Sequence, residues 1–126
     1  MQIIIPRPSR LLSPNARVHW AVLSSEKKSA RVSARRMAMA EWGNCVPRWP
    51  RATVRVLWIM PTKAHHPDPD NAIASLKPWL DGFADWGVVA NDKGLVPVWG
   101  GIRVEKSAEW PRGCVVLTFE RAADDK

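Results

Sequence analysis

Apolar positions along the chain switch between two periods. Residues 3–5 (Ile-Ile-Ile) form a short apolar run that reads as a strand, and Pro6, Pro8 and Pro14 break regular structure after it. Ser24 and Ser25 can cap a helix by accepting the unpaired N–H groups of its first turn, which predicts a helix from there to about Trp42, with Gly43 as its stop. Pro47 and Pro50 mark a turn. Ala52–Met60 is rich in β-branched and apolar residues and reads as a strand ended by Pro61, with a loop over residues 62–69. Ile73, Leu76, Leu80 and Phe83 then recur at steps of three and four, the apolar face of a helix over residues 71–85. Pro78 interrupts that face. It lacks an N–H and crowds the preceding turn, so either the helix bends there or residues 71–76 form a separate turn. Gly87 closes the segment, and Asn91-Asp92-Lys93-Gly94 reads as a turn. Residues 96–105 and Cys114–Arg121 read as two last strands, joined by a link long enough for a hairpin. The expectation is a single α+β domain over residues 1–126: a mixed sheet of about four strands with two main helices packed on it. Residues 122–126 are expected to form a frayed polar tail.

Charge sharpens this outline. Residues 6–23 read as a loop or extended arm carrying Arg7, Arg10 and Arg17. In the helix that follows, Lys27, Arg31 and Arg35 repeat every four residues and share one face, widened by Lys28 and Arg36. A charge run is usually a solvated face, but this stripe is nearly all of one sign and repels itself unless it meets an anion. The formal net charge is +7 and the pI about 10.1, which favours a polyanionic partner, nucleic acid before an acidic protein. Apolar residues make up 46% and charged residues 25%, which excludes a disordered chain. The eight Trp can fill a core, anchor an interface or stack on bases. Cys45 and Cys114 stand far apart with no zinc-binding spacing, and read as two reduced thiols. The first residues are too short an apolar run for a signal peptide, and no stretch reaches the length of a membrane span, so a cytoplasmic protein is expected.

The segment with most chemical content is His65-His66-Pro67-Asp68-Pro69-Asp70-Asn71. Prolines 67 and 69 favour extended backbone around Asp68, and in extended backbone residues two apart point the same way. Asp68 and Asp70 would then converge, and two close carboxylates repel unless a proton or a cation lies between them. A hard cation such as Mg²⁺ prefers such oxygen ligands. The alternative is a turn in which Asp70 or Asn71 caps the next helix. Asp92 follows that helix, and a strand–helix–strand unit that brought its ends together would add a third carboxylate. Lys77, inside the helix, could reach a phosphate. His65 and His66 read as exposed loop imidazoles, with a phosphate contact by one of them, or transition-metal binding, as the other readings.

The ordered set of Asp68-Pro69-Asp70-Asn71, Lys77 four residues before Asp81, Gly87-Val88 and Asn91-Asp92 resembles the RusA family of Holliday junction resolvases. Asn15 and His19-Trp20 are similar to the start of phage- and prophage-borne members. The resemblance runs from about Ile3 to Glu120, and its specific part from His65 to Leu95. It implies a Mg²⁺-dependent endodeoxyribonuclease, for which Mn²⁺ can substitute, acting as a homodimer on four-way DNA junctions in recombination and repair. It implies Asp68, Asp70 and Asp92 as metal-binding catalytic acids and Lys77 as the catalytic lysine. Asn91 stands where the family often has a further acid, and His66-Pro67 where it often has a basic pair. Phosphates would be held by Arg7, Arg10, Arg17, Lys27, Arg31, Arg35 and His66, without reading sequence. Neither a nucleotide cofactor nor a membrane is expected. Rival readings are an inactive module that grips branched DNA, a nuclease for flaps or forks, and an adaptor whose charge is incidental.

Overall fold

The computed structural model describes residues 1–64 and 66–122, with Asp92 described by its backbone alone. The tail expected to fray lies, from residue 123 on, outside the described residues. Six main elements follow one another: β1 (Gln2–Pro6), α1 (Trp20–Trp42), β2 (Ala52–Met60), α2 (Pro69–Trp86), β3 (Leu95–Val104) and β4 (Cys114–Arg121). Short 3-10 turns occupy Arg10–Leu12 and Asp92–Gly94. This is the α+β domain expected, with two helices and a mixed four-stranded sheet.

The strand order is β1-β4-β2-β3. β4 pairs antiparallel with both β1 and β2, while β3 lies parallel to β2. The expected β3–β4 hairpin is therefore not formed. The chain instead carries β4 past β2 into the sheet, where Val115 and Leu117 are fully buried, and β3 is left as an edge. A strand buried that deeply gains more apolar contact at the centre than it would at the rim.

Burial alternates along β2, as a strand with one covered face requires. Val54, Val56, Trp58 and Met60 face the helices, and Arg55 faces out. Trp42 of α1, Phe83 of α2 and Phe119 of β4 meet in a tilted or edge-to-face cluster with ring centres 5.5–5.9 Å apart. That arrangement places positive ring edges on negative faces. The helices cross closely through small residues. Ala30, Ala34 and Ala38 are buried, and a Cβ on Gly82 would lie 2.5 Å from the Arg31 carbonyl oxygen. A glycine inside a helix costs about 1 kcal/mol relative to alanine, and here the missing Cβ is what lets the two helices touch.

Two helix boundaries differ from expectation. α1 begins at Trp20, because His19 Nδ1 accepts the Ala21 N–H at 3.2 Å and serves as the cap; Ser24 and Ser25 sit exposed within the helix. α2 begins at Pro69, and the helix continues through Pro78. Pro78 deprives the Ala74 carbonyl of its bonding partner, and Ala74 is exposed, so water can take that role. Cys45 and Cys114 are unbonded thiols; burial pushes Cys114 up from its ordinary pKa, with Glu105 and Glu109 adding to the shift.

Candidate active site

The start of α2 brings Asp68 and Asp70 to one end of the β2–α2–β3 unit. Asp68 is the cap: its Oδ2 accepts the Asn71 N–H at 3.3 Å. Pro69 takes the first helical position, where its missing N–H has no intrahelical partner to lose. The backbone thus turns helical one residue earlier than the extended reading of this segment requires. Asp68 and Asp70 do not alternate as strand neighbours; they are the cap and first turn of a helix, both exposed. The positive end of the helix dipole favours anionic carboxylates there.

Asp68 opens onto a cleft of about 600 Å³. Arg7, Arg10 and Asn15 come from the arm after β1, Trp58 from β2, and Asn71 and Ser75 from α2. Arg7 Nη1 donates to the Arg112 carbonyl at 3.4 Å, and Arg112 joins Arg7 and Arg10 around a neighbouring hollow. A second cleft, of about 560 Å³, lies across the arm, and Ser13 and Ala16 line both. Its cations are Lys27, Lys28 and Arg31 of α1 and Lys77 of α2; Leu12, Pro14, Leu23 and Pro78 form apolar wall.

The cationic stripe on α1 is not uniformly available. Arg31 forms a two-pronged ion pair with Asp85 of α2, at 2.5 and 2.8 Å. That hydrogen bond, with the nearby charges of Arg31 and Arg35, holds the Asp85 carboxyl below its ordinary pKa against the opposing effect of burial. Lys27 and Arg35 are exposed, as is Arg17 on the arm. Lys77 pairs with Asp81 one turn on, at 3.4 Å, in an exposed i,i+4 bridge. His66 is exposed, and its Nε2 lies 3.1 Å from the Thr62 carbonyl oxygen. A carbonyl can only accept, so this contact needs the proton on Nε2. His65 lies outside the described residues.

The backbone does not bring Asp92 to the other two aspartates. β2 and β3 are parallel, so β3 starts beside the start of β2, with Ala52 paired to Leu95. A Cβ on Gly94 would sit 2.6 Å from the Pro50 carbonyl oxygen, whereas Asp68 shares its cleft with Trp58. Eight residues of extended chain, Pro50 to Trp58, span ~25 Å. Two oxygens on one Mg²⁺ lie within ~4 Å of each other. Among the described residues, no three His, Cys, Asp or Glu side chains gather closely enough to hold a metal ion.

The place of Asn15 in the cleft and of Arg112 in the basic surroundings was not legible in the sequence. Lys28 was legible from its place in the stripe. Arg112, in the link before β4, becomes relevant only once β4 lies beside β1 and brings it to Arg7.

No family model matches the chain. A protein of Xylella fastidiosa (strain Temecula1 / ATCC 700964), named only as an uncharacterized protein, is 44% identical over 85 residues, which cover 66% of this chain and 55% of that protein. The chain thus spans about half the length of the curated relative it matches.

Proposed function

We propose that the chain is a Mg²⁺-dependent endodeoxyribonuclease that cuts four-way DNA junctions. The observation that carries this reading is the pairing of opposites at one cleft: Asp68 caps α2 at its mouth, with Asp70 in the next turn, while Arg7 and Arg10 stand on the arm across it. A cleft with cations on one wall and the Asp68 carboxylate on the other can hold a phosphodiester beside a divalent ion. Mg²⁺ is commonly held by one or two carboxylates and keeps several waters, and the exposed pair at the start of α2 suits that habit. When bound, the ion, or Mn²⁺ in its place, would supply Lewis-acid relief of phosphoryl charge and a more acidic water.

The chain's own groups do the rest. Arg7 and Arg10 hold phosphates flanking the scissile one, without base reading. Lys77 lines the neighbouring cleft, and would have to leave Asp81 and reach past the arm to offer its ammonium to charge developing on the phosphoryl oxygens. Hydrolysis adds water's hydroxyl to phosphorus and returns its proton to the leaving 3′ oxygen. Lys27, Lys28 and Arg35 extend the cationic track along α1 for a second arm of the junction. Four-way junctions have two-fold symmetry, which suits a homodimer cutting two like strands.

The test is cleavage of a synthetic four-way junction against linear duplex of the same sequence, with Mg²⁺ and with EDTA. Asp70→Asn is expected to reduce cutting by at least ~100-fold, the upper end for disturbing even an outer partner of a metal ligand, and to leave junction binding within about two-fold, as removing a carboxylate from the DNA face adds no repulsion. Unchanged cutting would remove Asp70 from the site. A second reading is an inactive module that grips branched DNA: it needs the cationic clefts and uses Asp68 only as the cap of α2. Tight, Mg²⁺-independent binding without cutting would establish it.

A further inference from the structure

We infer that the free edge of β1 is a docking site for an extended, basic segment of a partner protein, which adds to the sheet as a further strand. The inference does not depend on the nuclease reading. β1 closes one side of the sheet and pairs with β4 alone. Met1 and Phe119 exchange both backbone bonds: the Met1 ammonium donates to the Phe119 carbonyl at 3.1 Å, and the Phe119 N–H to the Met1 carbonyl at 2.7 Å. In an antiparallel ladder such pairs alternate with pairs whose N–H and C=O groups point away from the neighbour. The register then makes Ile3–Leu117 and Ile5–Val115 bonded pairs, and turns the backbone groups of Gln2 and Ile4 outward. Among the described residues nothing bonds to these outward groups. The opposite edge is blunted, since β3 carries Pro97 and a register shift against β2. The one proline of β1, Pro6, stands at its end.

Beside this edge lies a hollow of about 390 Å³, lined by Gln2 and Ile4, by Met37 and Glu41 of α1, and by Glu109 and Trp110 of the link before β4. Lys or Arg lines both large clefts and the hollow around Arg7 and Arg112, but none lines this one. Glu41 and Glu109 are exposed, and among the described residues neither is paired with a cation. Glu105 and Glu109 both act on the Cys114 thiol, and Cys114 pairs with Pro6, so a further carboxylate stands near that end of the strand. In a chain of net charge +7, this is a place that repels a polyanion and attracts a cationic peptide. A second copy paired through β1 would bring like carboxylates together, which opposes self-pairing. Ile4, 42% exposed, and the half-buried Met37 and Trp110 offer apolar contact to alternate side chains of the added strand.

The probe is a fluorescein-labelled octapeptide of alternating Lys and Val, titrated with the full chain and followed by fluorescence anisotropy. Its controls are a Glu–Val octapeptide, and a Lys–Pro octapeptide of the same charge that lacks every second N–H and resists the strand conformation. The Lys–Val peptide is expected to bind at least ~10-fold more tightly than either. Ile4→Pro deletes an outward N–H and no ladder bond, so an edge strand tolerates it, and it is expected to weaken the peptide by about 10-fold. Glu41→Lys combined with Glu109→Lys leaves the backbone edge intact and should weaken it by about as much. Circular dichroism checks that both variants fold, and the glutamate variant tests the charge even if Ile4→Pro does not. Absence of binding, equal binding of the three peptides, or a folded glutamate variant that binds the Lys–Val peptide as the wild type does overturns the proposal. Self-association that Ile4→Pro abolishes and the peptide does not reverse would make a second copy the occupant, and overturns it as well.

Discussion

Trp20 opens α1 with 76% of its surface exposed, while the other seven tryptophans are buried or partly buried. His19 lies beside it, ring centres 5.6 Å apart. An indole left in water contributes nothing to a core, so its cost is offset only when something covers it. Under the proposed function, Trp20 would stack on an unpaired base of the junction, with Arg17 three residues before it on the arm. Trp20→Ala is expected to leave the unfolding free energy within ~0.5 kcal/mol of wild type. It should weaken binding to a four-way junction by roughly 10-fold, at the ~1–3 kcal/mol that base stacking contributes. Equal affinity in a gel-shift titration would return Trp20 to a bystander role. Asp85 ties stability to pH. Arg31 holds its pKa down in the folded state, so the ion pair stabilises the fold above the unfolded carboxyl value of ~4 and that contribution is lost as pH falls through the folded value. Asp85→Asn should cost at most ~1 kcal/mol near neutrality, as both partners are partly exposed. The difference in Tm from wild type should narrow on titrating below about pH 4. A gap that stays constant down to pH 2.5 would show that the charge of Asp85 contributes nothing.

Between elements, the tightest fit is α1 against α2. Gly82 faces Ala34 and the Arg31 carbonyl, and a methyl there would meet backbone that cannot rotate away. Gly82→Ala raises helix propensity and yet is expected to destabilise the protein by ~1–3 kcal/mol, because overpacking outweighs the ~1 kcal/mol gained in the helix. Urea denaturation gives the sign directly, and a stabilised variant would mean the helices can part without loss. Arg31 lies on this same junction of helices. Its ion pair clamps α1 to α2 next to the Gly82 contact, so part of the cationic stripe is structural and part faces solvent.

Over the described residues, cations of the arm and α1 line two adjoining clefts, with Asp68 at one and Asp81 at the other. Under the proposed function, such a surface would bind DNA largely by releasing condensed counterions. Replacing Lys27 and Arg35 together with Ala is expected to flatten the slope of log K against log salt by ~2, about one for each phosphate no longer neutralised, without changing preference among sequences. A slope unaltered from ~50 to ~200 mM salt would make these residues an ordinary solvated face. No helix among the described residues is long and apolar enough to cross a membrane.

Local chemistry was legible in the residues themselves. The apolar steps of Ile73, Leu76, Leu80 and Phe83 specify the buried face of α2, and the β-branched run of Ala52–Met60 specifies β2, because period and propensity act within a few residues of chain. The cap of α2 was less legible: Asp68 caps it and Pro69 opens it, where the sequence offered Asp70 or Asn71 as the cap of a helix over residues 71–85. What tertiary structure alone decided is which of these segments meet. Whether β4 pairs with β3 or slides between β1 and β2 depends on the total apolar surface each order buries, a sum over distant residues that no local pattern encodes. From that choice follows the meeting of Arg7 with Arg112, while the crossover through α2 sets β2 and β3 parallel and so separates the Asp92 turn from Asp68 and Asp70.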